Sequence, residues 1–123
     1  MKQTNEGVND GVFAQGDILF VRTSIPAEAE AMKPGRITLA LGEASGHAHV
    51  IDDPVEVVQG FTMKDAGNAV RTFLRVVGLG GAEVKHVHGT SLTGEHDTVR
   101  LPPGDWERLE QATWAGEARR AAD

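Results

Sequence analysis

Histidines are the side chains in this sequence whose type and spacing point most directly to chemistry. Four of the five form two H-x-H pairs, His47 with His49 and His86 with His88, and the fifth, His96, stands between two acidic residues. Residues two apart in a strand project from the same face, so each pair directs two imidazoles to one side. Imidazole nitrogen with an occasional carboxylate oxygen is the donor set of many Zn, Fe, Ni and Cu sites. The spacing therefore predicts a site for a divalent transition metal.

The absence of cysteine narrows that chemistry. Because none of the 123 residues is a cysteine, the chain can form no disulfide, thiolate metal site or cysteine nucleophile. A bound metal would take nitrogen and oxygen ligands instead. Two other interpretations stay open: the histidines could form a pH-sensitive surface, since imidazole titrates near neutrality, or they could have structural roles in a sheet.

The elements that would position these histidines are short strands. Alternating apolar segments separated by Gly and Pro predict strands at residues 18–21, 36–41, 48–51, 55–58, 70–77, 83–88 and 98–101. Residues 27–32 are expected to form at most two helical turns, and the chain from Trp106 is either a last strand or the start of a tail. Seven or eight such strands indicate an all-β fold, either a small β-barrel or a jelly roll or other sandwich.

Three regions follow from this pattern. Residues 1–15 are polar and rich in Gly and Asn, so we expect a flexible leader from which only Phe13 docks on the body. Residues 16–110 form the predicted β domain. Residues 111–123 are rich in Ala, Glu and Arg, a composition that favours a short C-terminal helix.

Length and charge exclude several partners. A chain of 123 residues fits one domain, and its net charge of −6 lacks the basic footprint that nucleic-acid binding needs. No apolar run approaches the roughly 20 residues of a membrane span, and the first residues lack a signal-peptide pattern. We expect a cytoplasmic protein, or a virion component if the gene belongs to a phage.

The segment around the first histidine pair resembles the first motif of cupins. Gly42 precedes His47 by four residues, Asp53 follows His49 after three, and Gly60 follows after a further six. The cupin pattern has five residues at the first spacing and Glu where this chain has Asp53.

A later segment resembles the second cupin motif. Pro102-Pro103-Gly104 matches its start, and Glu107 stands at the position of its histidine. The resemblance implies a jelly roll in which one metal is surrounded by His47, His49, Asp53 and Glu107.

The chain also resembles, over residues 16–123, a family of small uncharacterised proteins of bacterial and phage genomes. The matching motifs, in order, are Gly16-Asp17-x-Leu19, Leu39-Ala40-x-Gly42-Glu43-x-x-Gly46-His47-x-His49, Glu95-His96 and Leu101-Pro102-Pro103-Gly104. The family pattern has a further histidine shortly before His96, where this chain has Thr93 or Gly94, so His86 or His88 would have to replace it. The resemblance implies a compact fold with a site at the GHxH block and names no reaction.

Three functional hypotheses remain. The first is a β domain that binds a divalent transition metal through His47, His49, Asp53, His86, His88 and His96. The second is a non-enzymatic structural or assembly protein, such as a phage virion accessory or a homo-oligomeric module, since the sequence contains no complete catalytic set. The third is a cupin-like metalloenzyme acting on a small molecule.

Overall fold

The strands are short and make up most of the part of the chain that the structure describes. The computed structural model describes residues 11–16, 18–41, 47–88, 91–92 and 98–110, with backbone alone at 40, 41, 47, 88, 91 and 92. The strands of this part are β1 Val12–Gln15, β2 Ile18–Arg22, β3 Glu30–Ala31, β4 Ile37–Leu41, β5 His47–Ile51, β6 Val58–Lys64, β7 Val70–Val76, β8 Ala82–His88, β9 Ser91–Leu92, β10 Val99–Leu101 and β11 Gly104–Glu110.

These strands form two antiparallel sheets. The six-stranded sheet has the order β1-β2-β11-β7-β6-β3. The five-stranded sheet has the order β9-β8-β5-β4, with β10 following β9 along the same edge of β8. Within the described residues neither sheet closes on itself, and the two share one core. The predicted all-β fold is confirmed as a sandwich-like arrangement rather than a barrel.

The core lies between the sheets. Its fully buried side chains come from both of them, and include Ile18, Phe20, Leu74 and Trp106 from the six-stranded sheet and Ile51, Val84 and Leu101 from the other. Trp106 is the largest of these, and its Nε1 donates to the Pro102 carbonyl oxygen at 3.0 Å. Phe13 meets the Trp106 ring edge-on, with centroids 5.4 Å apart, so the predicted docking of Phe13 is confirmed.

The segment at residues 27–32 is not helical, which corrects the expectation of two helical turns. Glu30–Ala31 pairs with β6 as a short edge strand, and the Met32 backbone N–H donates to the Gly60 carbonyl at 2.8 Å. Two isolated turns of helix are unstable because nucleation is costly. The edge of the sheet offers this segment backbone partners that a short helix could not match.

A second correction concerns the strand predicted at residues 55–58. The backbone N–H groups of Val57 and Val58 both donate to the Pro54 carbonyl, at 2.8 and 3.1 Å, so the chain turns there. The strand β6 starts at Val58 and ends at Lys64. Its alternation of apolar and polar residues is hard to recognise in the sequence because the stretch contains Gly60 and residues of mixed polarity. Pairing with β7 along its whole length makes it a strand, because strand preference depends strongly on neighbours.

The sheet begins earlier than the sequence indicated. β1 lies within the range assigned to the leader and pairs with β2 from Val12 opposite Val21 to Gln15 opposite Ile18. The β domain therefore takes in residues 12–15. The rest of the predicted leader and the predicted tail helix lie outside the described residues. No helix of the described part is long and apolar enough to cross a membrane.

An ion pair at the end of β5 predicts a pH dependence of stability. Arg36 donates to both carboxylate oxygens of Asp52, at 2.7 and 3.0 Å, and this hydrogen bonding lowers the pKa of Asp52. A carboxyl with a lowered folded-state pKa stabilises the fold above its unfolded pKa of about 3.9 and loses that contribution as the pH falls through the folded value. We therefore expect Asp52→Asn to be less stable than the parent at neutral pH, with the difference vanishing at strongly acidic pH.

Urea unfolding at a series of pH values measures this difference. Glu56→Gln, which removes a carboxylate at an exposed turn position, is the control, and Asp52→Asn should show the larger pH dependence of stability. A deficit of Asp52→Asn that stays constant from neutral to strongly acidic pH would contradict the assignment.

Candidate metal centre

The two H-x-H pairs lie opposite each other on neighbouring strands. β5 and β8 are antiparallel, with His47 opposite His88 and His49 opposite His86. Directly opposed residues of an antiparallel pair have Cβ atoms about 4.5–5.5 Å apart, which is close enough for side chains to interact. The sheet thus joins two motifs that are far apart in the sequence.

The inner pair, His49 and His86, forms a ring contact at the end of the core. Their centroids are 4.6 Å apart with an angle of 51° between the ring planes. His86 is only 7% exposed, and His49 is half-buried. Ile51 and Val84, two residues away on the same strands, are fully buried members of the core. Because strand residues two apart share a face, the imidazoles continue the core face of this sheet.

Gln15 connects this pair to the opposite sheet. Its side chain is buried at the end of β1, where Nε2 donates to the Val84 carbonyl at 2.9 Å. Its Oε1 lies 2.8 Å from Nδ1 of His49. Since the amide oxygen can only accept, Nδ1 of His49 carries the hydrogen, and in the neutral ring the lone pair is then on Nε2. One amide thereby sets both the tautomer and the orientation of His49.

Gly16 packs beneath the same ring. Its backbone has φ of +56°, a left-handed conformation that residues other than glycine adopt only with strain. A Cβ at this position would lie 3.1 Å from Cε1 of His49. The turn between β1 and β2 therefore brings bare backbone against the imidazole, and a larger residue would displace it.

The remaining predicted ligands are not part of this contact. The Asp53 carboxylate accepts from the Glu83 backbone N–H at 2.7 Å. Glu107, the cupin-like position, binds Arg71 through both oxygens at 2.9 and 3.0 Å. His96 lies outside the described residues, as do the side chains of His47 and His88. Among the side chains that the structure describes, no three His, Asp or Glu residues form a group suited to a metal ion.

Comparison with models of protein families shows which family this chain is related to. A family model matches residues 14–111. The chain belongs to DUF8820, a domain of unknown function. The DUF8820 match includes Gln15, both H-x-H pairs and the Pro-Pro-Gly turn before β11. Comparisons with curated proteins and with solved structures find no match.

Sequence reasoning missed two residues of this candidate site, Gln15 and Gly16. Gly16 was noted as the start of a motif, but Gln15 was assigned to the leader. The available signal was the stretch Val12 to Gln15, which leads as an extended segment into a Gly-Asp turn. The sequence does not indicate that Gln15, at the end of this stretch, is buried, since Gln is mostly exposed in proteins.

Proposed function

We propose that this DUF8820 domain binds a divalent transition metal between β5 and β8. His49 and His86 are the first two ligands, and His47 and His88 supply the further donors. The observation that carries the proposal is the register of these strands, which opposes one H-x-H pair to the other. Four histidines at facing positions give a density of imidazole that a structural role alone does not require.

The burial of the inner pair supports a binding role. Buried polar groups are costly unless they are hydrogen-bonded, and a core of this size could place apolar residues at both positions. Instead, His49 and His86 extend the row of Ile51 and Val84 towards the end of the sheet. At that end of the row the next facing positions are again histidines.

The contact from Gln15 also favours metal binding. Metal-ligating histidines almost always donate their second ring N–H to a carbonyl, carboxylate or similar acceptor, which orients the ring and directs the other nitrogen at the metal. The Nδ1–H of His49 donates to Oε1 of Gln15, so the lone pair of the neutral ring, the group that would bind the ion, is on Nε2. Gln15 would act as a positioning residue because it holds His49 without binding the ion.

The donor set indicates which ions to test. Imidazole suits Zn, Cu, Fe and Ni, and the chain has no cysteine to favour softer thiolate chemistry. We take Zn²⁺ as the principal ion and Ni²⁺ and Cu²⁺ as comparisons. The comparison is informative because affinity at nitrogen sites rises from Ni²⁺ to Cu²⁺ and falls again at Zn²⁺.

Metal content and Zn²⁺ titration of untagged protein test the proposal. We expect the purified protein to contain metal and the stripped protein to take up Zn²⁺ with measurable heat. His49→Gln and His86→Gln should abolish this binding while a far-UV circular dichroism spectrum confirms the fold. Gln15→Leu should weaken it by about 10–100-fold, as for other residues that orient a ligand. Thr72→Val, which removes a buried polar group from β7 of the other sheet, is the matched control.

Two results of the titration would overturn the metal-binding proposal. The first is that the folded protein binds none of the three ions, and the second is that both histidine variants keep an unchanged Zn²⁺ affinity.

For Gln15, an NMR measurement of the His49 ring nitrogens distinguishes a role in positioning His49 from a general effect on stability. Gln15→Leu should shift the tautomer away from Nδ1–H, whereas Thr72→Val should not. An unshifted tautomer would remove the positioning role.

A further inference from the structure

We propose that the outer face of the six-stranded sheet binds a second copy of this chain, so that two domains form a symmetric dimer. The four strands in the middle of this sheet are β2, β11, β7 and β6, in that order. Side chains alternate between the two faces of a strand, and Phe20, Trp106, Leu74 and Val58 occupy the core face of these four. The residues next to them in sequence therefore form the outer face. The histidine site lies in the other sheet, so the proposal does not depend on metal binding.

Apolar side chains occupy both flanks of the outer face. Leu19 and Val21 project from β2, and Phe61 and Met63 project from β6; all four are only half-buried. Outward positions of a sandwich are generally polar, as Lys85 is on β8 of the other sheet. Apolar residues grouped at such positions indicate a surface that contacts another molecule.

A belt of charged side chains lies between these flanks, on β7 and β11. Arg75 donates to both carboxylate oxygens of Asp105, at 3.0 and 3.3 Å, and Arg71 donates to both of Glu107, at 2.9 and 3.0 Å. Each guanidinium also lies over a phenylalanine ring, 5.0 or 5.3 Å from its centroid. Bidentate pairing and stacking hold these side chains in fixed positions, so little side-chain entropy remains to be lost on docking.

The layout of the face is complementary to itself. The midline of the six strands runs between β11 and β7, and a two-fold axis along it exchanges β11 with β7 and β2 with β6. The strand register places Arg75 opposite Asp105, and it places Phe61 and Val21 in one row across the sheet. In the dimer, Arg75 therefore faces Asp105 of the second copy, and Val21 faces Phe61 of the second copy. The angle of about 30° between packed sheets displaces these contacts little near the axis.

Charge and area both fit a second copy of the chain. The two ion pairs leave the belt without net charge, whereas the whole chain carries −6. The face can thus approach its own copy without the repulsion that the net charge would cause elsewhere. A face six strands wide and about six residues long at its centre covers up to roughly 500 Å² on each copy. A total of up to about 1,000 Å² is at the lower end for specific interfaces, so we expect a dissociation constant in the micromolar range.

Sedimentation velocity of the untagged full chain tests the dimer over concentrations of about 1–500 µM. We expect conversion from a monomer to a species of twice its mass across this range, both with and without a metal chelator. A folded chain that stays monomeric at the highest concentration would overturn the proposal and leave the face to a different partner. Loss of the dimer in chelator would assign the association to a bridging metal and would also reject this face.

A lysine on one apolar flank tests where the dimer forms. Val21→Lys should weaken dimerisation by at least about tenfold, because it buries an unpaired charge in an apolar contact. Leu79→Lys is the matched control: it places the same charge at an exposed apolar residue in the turn between β7 and β8, outside the face, and should leave the association unchanged. Equal effects of the two substitutions would overturn the proposed location.

An exchange of charges tests the two-fold register. Arg75→Asp and Asp105→Arg should each be monomeric at concentrations where the parent dimerises, because like charges then face each other across the axis. An equimolar mixture of the two variants should form a heterodimer, since every aspartate then faces an arginine of the other copy. Far-UV circular dichroism confirms the fold of each variant, and Val21→Lys decides the question if either fails to fold. Dimerisation of both variants alone, or a mixture of folded variants that stays monomeric, would reject the self-complementary face.

Discussion

Replacing Trp106 with alanine is expected to lower the free energy of unfolding by about 3–5 kcal/mol, the usual cost of truncating a buried tryptophan. Trp106 is fully buried in the core and is the largest of the fully buried side chains that the structure describes. Phe13 packs edge-on against the ring, and the Arg22 guanidinium lies over it. Removing the indole leaves a cavity and also removes the donor to the Pro102 carbonyl. Small domains have a free energy of unfolding of about 5–15 kcal/mol, so this loss would remove a large part of the domain's stability.

Urea unfolding followed by far-UV circular dichroism measures the Trp106 effect. Trp106→Phe keeps most of the apolar volume and should cost less than Trp106→Ala, and it remains informative if the alanine variant does not fold. Leu79→Ala is the control, since Leu79 is 95% exposed and should change stability by less than about 0.5 kcal/mol. A cost for Trp106→Ala no greater than that for Leu79→Ala would contradict the burial of the indole in the core.

Gly81→Ala is expected to destabilise the domain by about 1–3 kcal/mol from backbone strain, with an added steric cost. Gly81 has φ of +83°, where a Cβ is strained. That Cβ would also lie 2.5 Å from the Leu101 carbonyl oxygen, a backbone atom that cannot rotate away. The turn into β8 and the end of β10 would have to separate.

Gly80 provides a closely matched control. It is the adjacent residue, no atom lies within 4 Å of its ideal Cβ, and its φ is not positive. Gly80→Ala should therefore be neutral or stabilise by up to about 1 kcal/mol, since alanine reduces the entropy of the unfolded chain. The two variants are compared by thermal and urea unfolding. Equal stabilities would show that neither the strain nor the clash at Gly81 matters.

The fold class followed from the sequence because alternation and turn residues act locally. Residues 70–77 are rich in strand-favouring Val, Thr, Phe and Leu, and the structure has β7 at Val70–Val76. Residues 58–64 were missed because their alternation is weak, and only pairing with β7 makes them a strand. The edge strand at Glu30–Ala31 was missed for the same reason: its partner lies some thirty residues further along the chain.

For the candidate site, the sequence by itself determined that imidazoles and no thiols are available, and it placed the two members of each H-x-H pair on one face, since side chains alternate in any strand. It could not determine which strands are neighbours. Tertiary structure alone decided that His49 faces His86, and that Gln15, 34 residues before His49, reaches it from the other sheet. The physical reason is that the period of a strand specifies which face a side chain occupies, whereas the order and register of strands depend on the burial of the whole core.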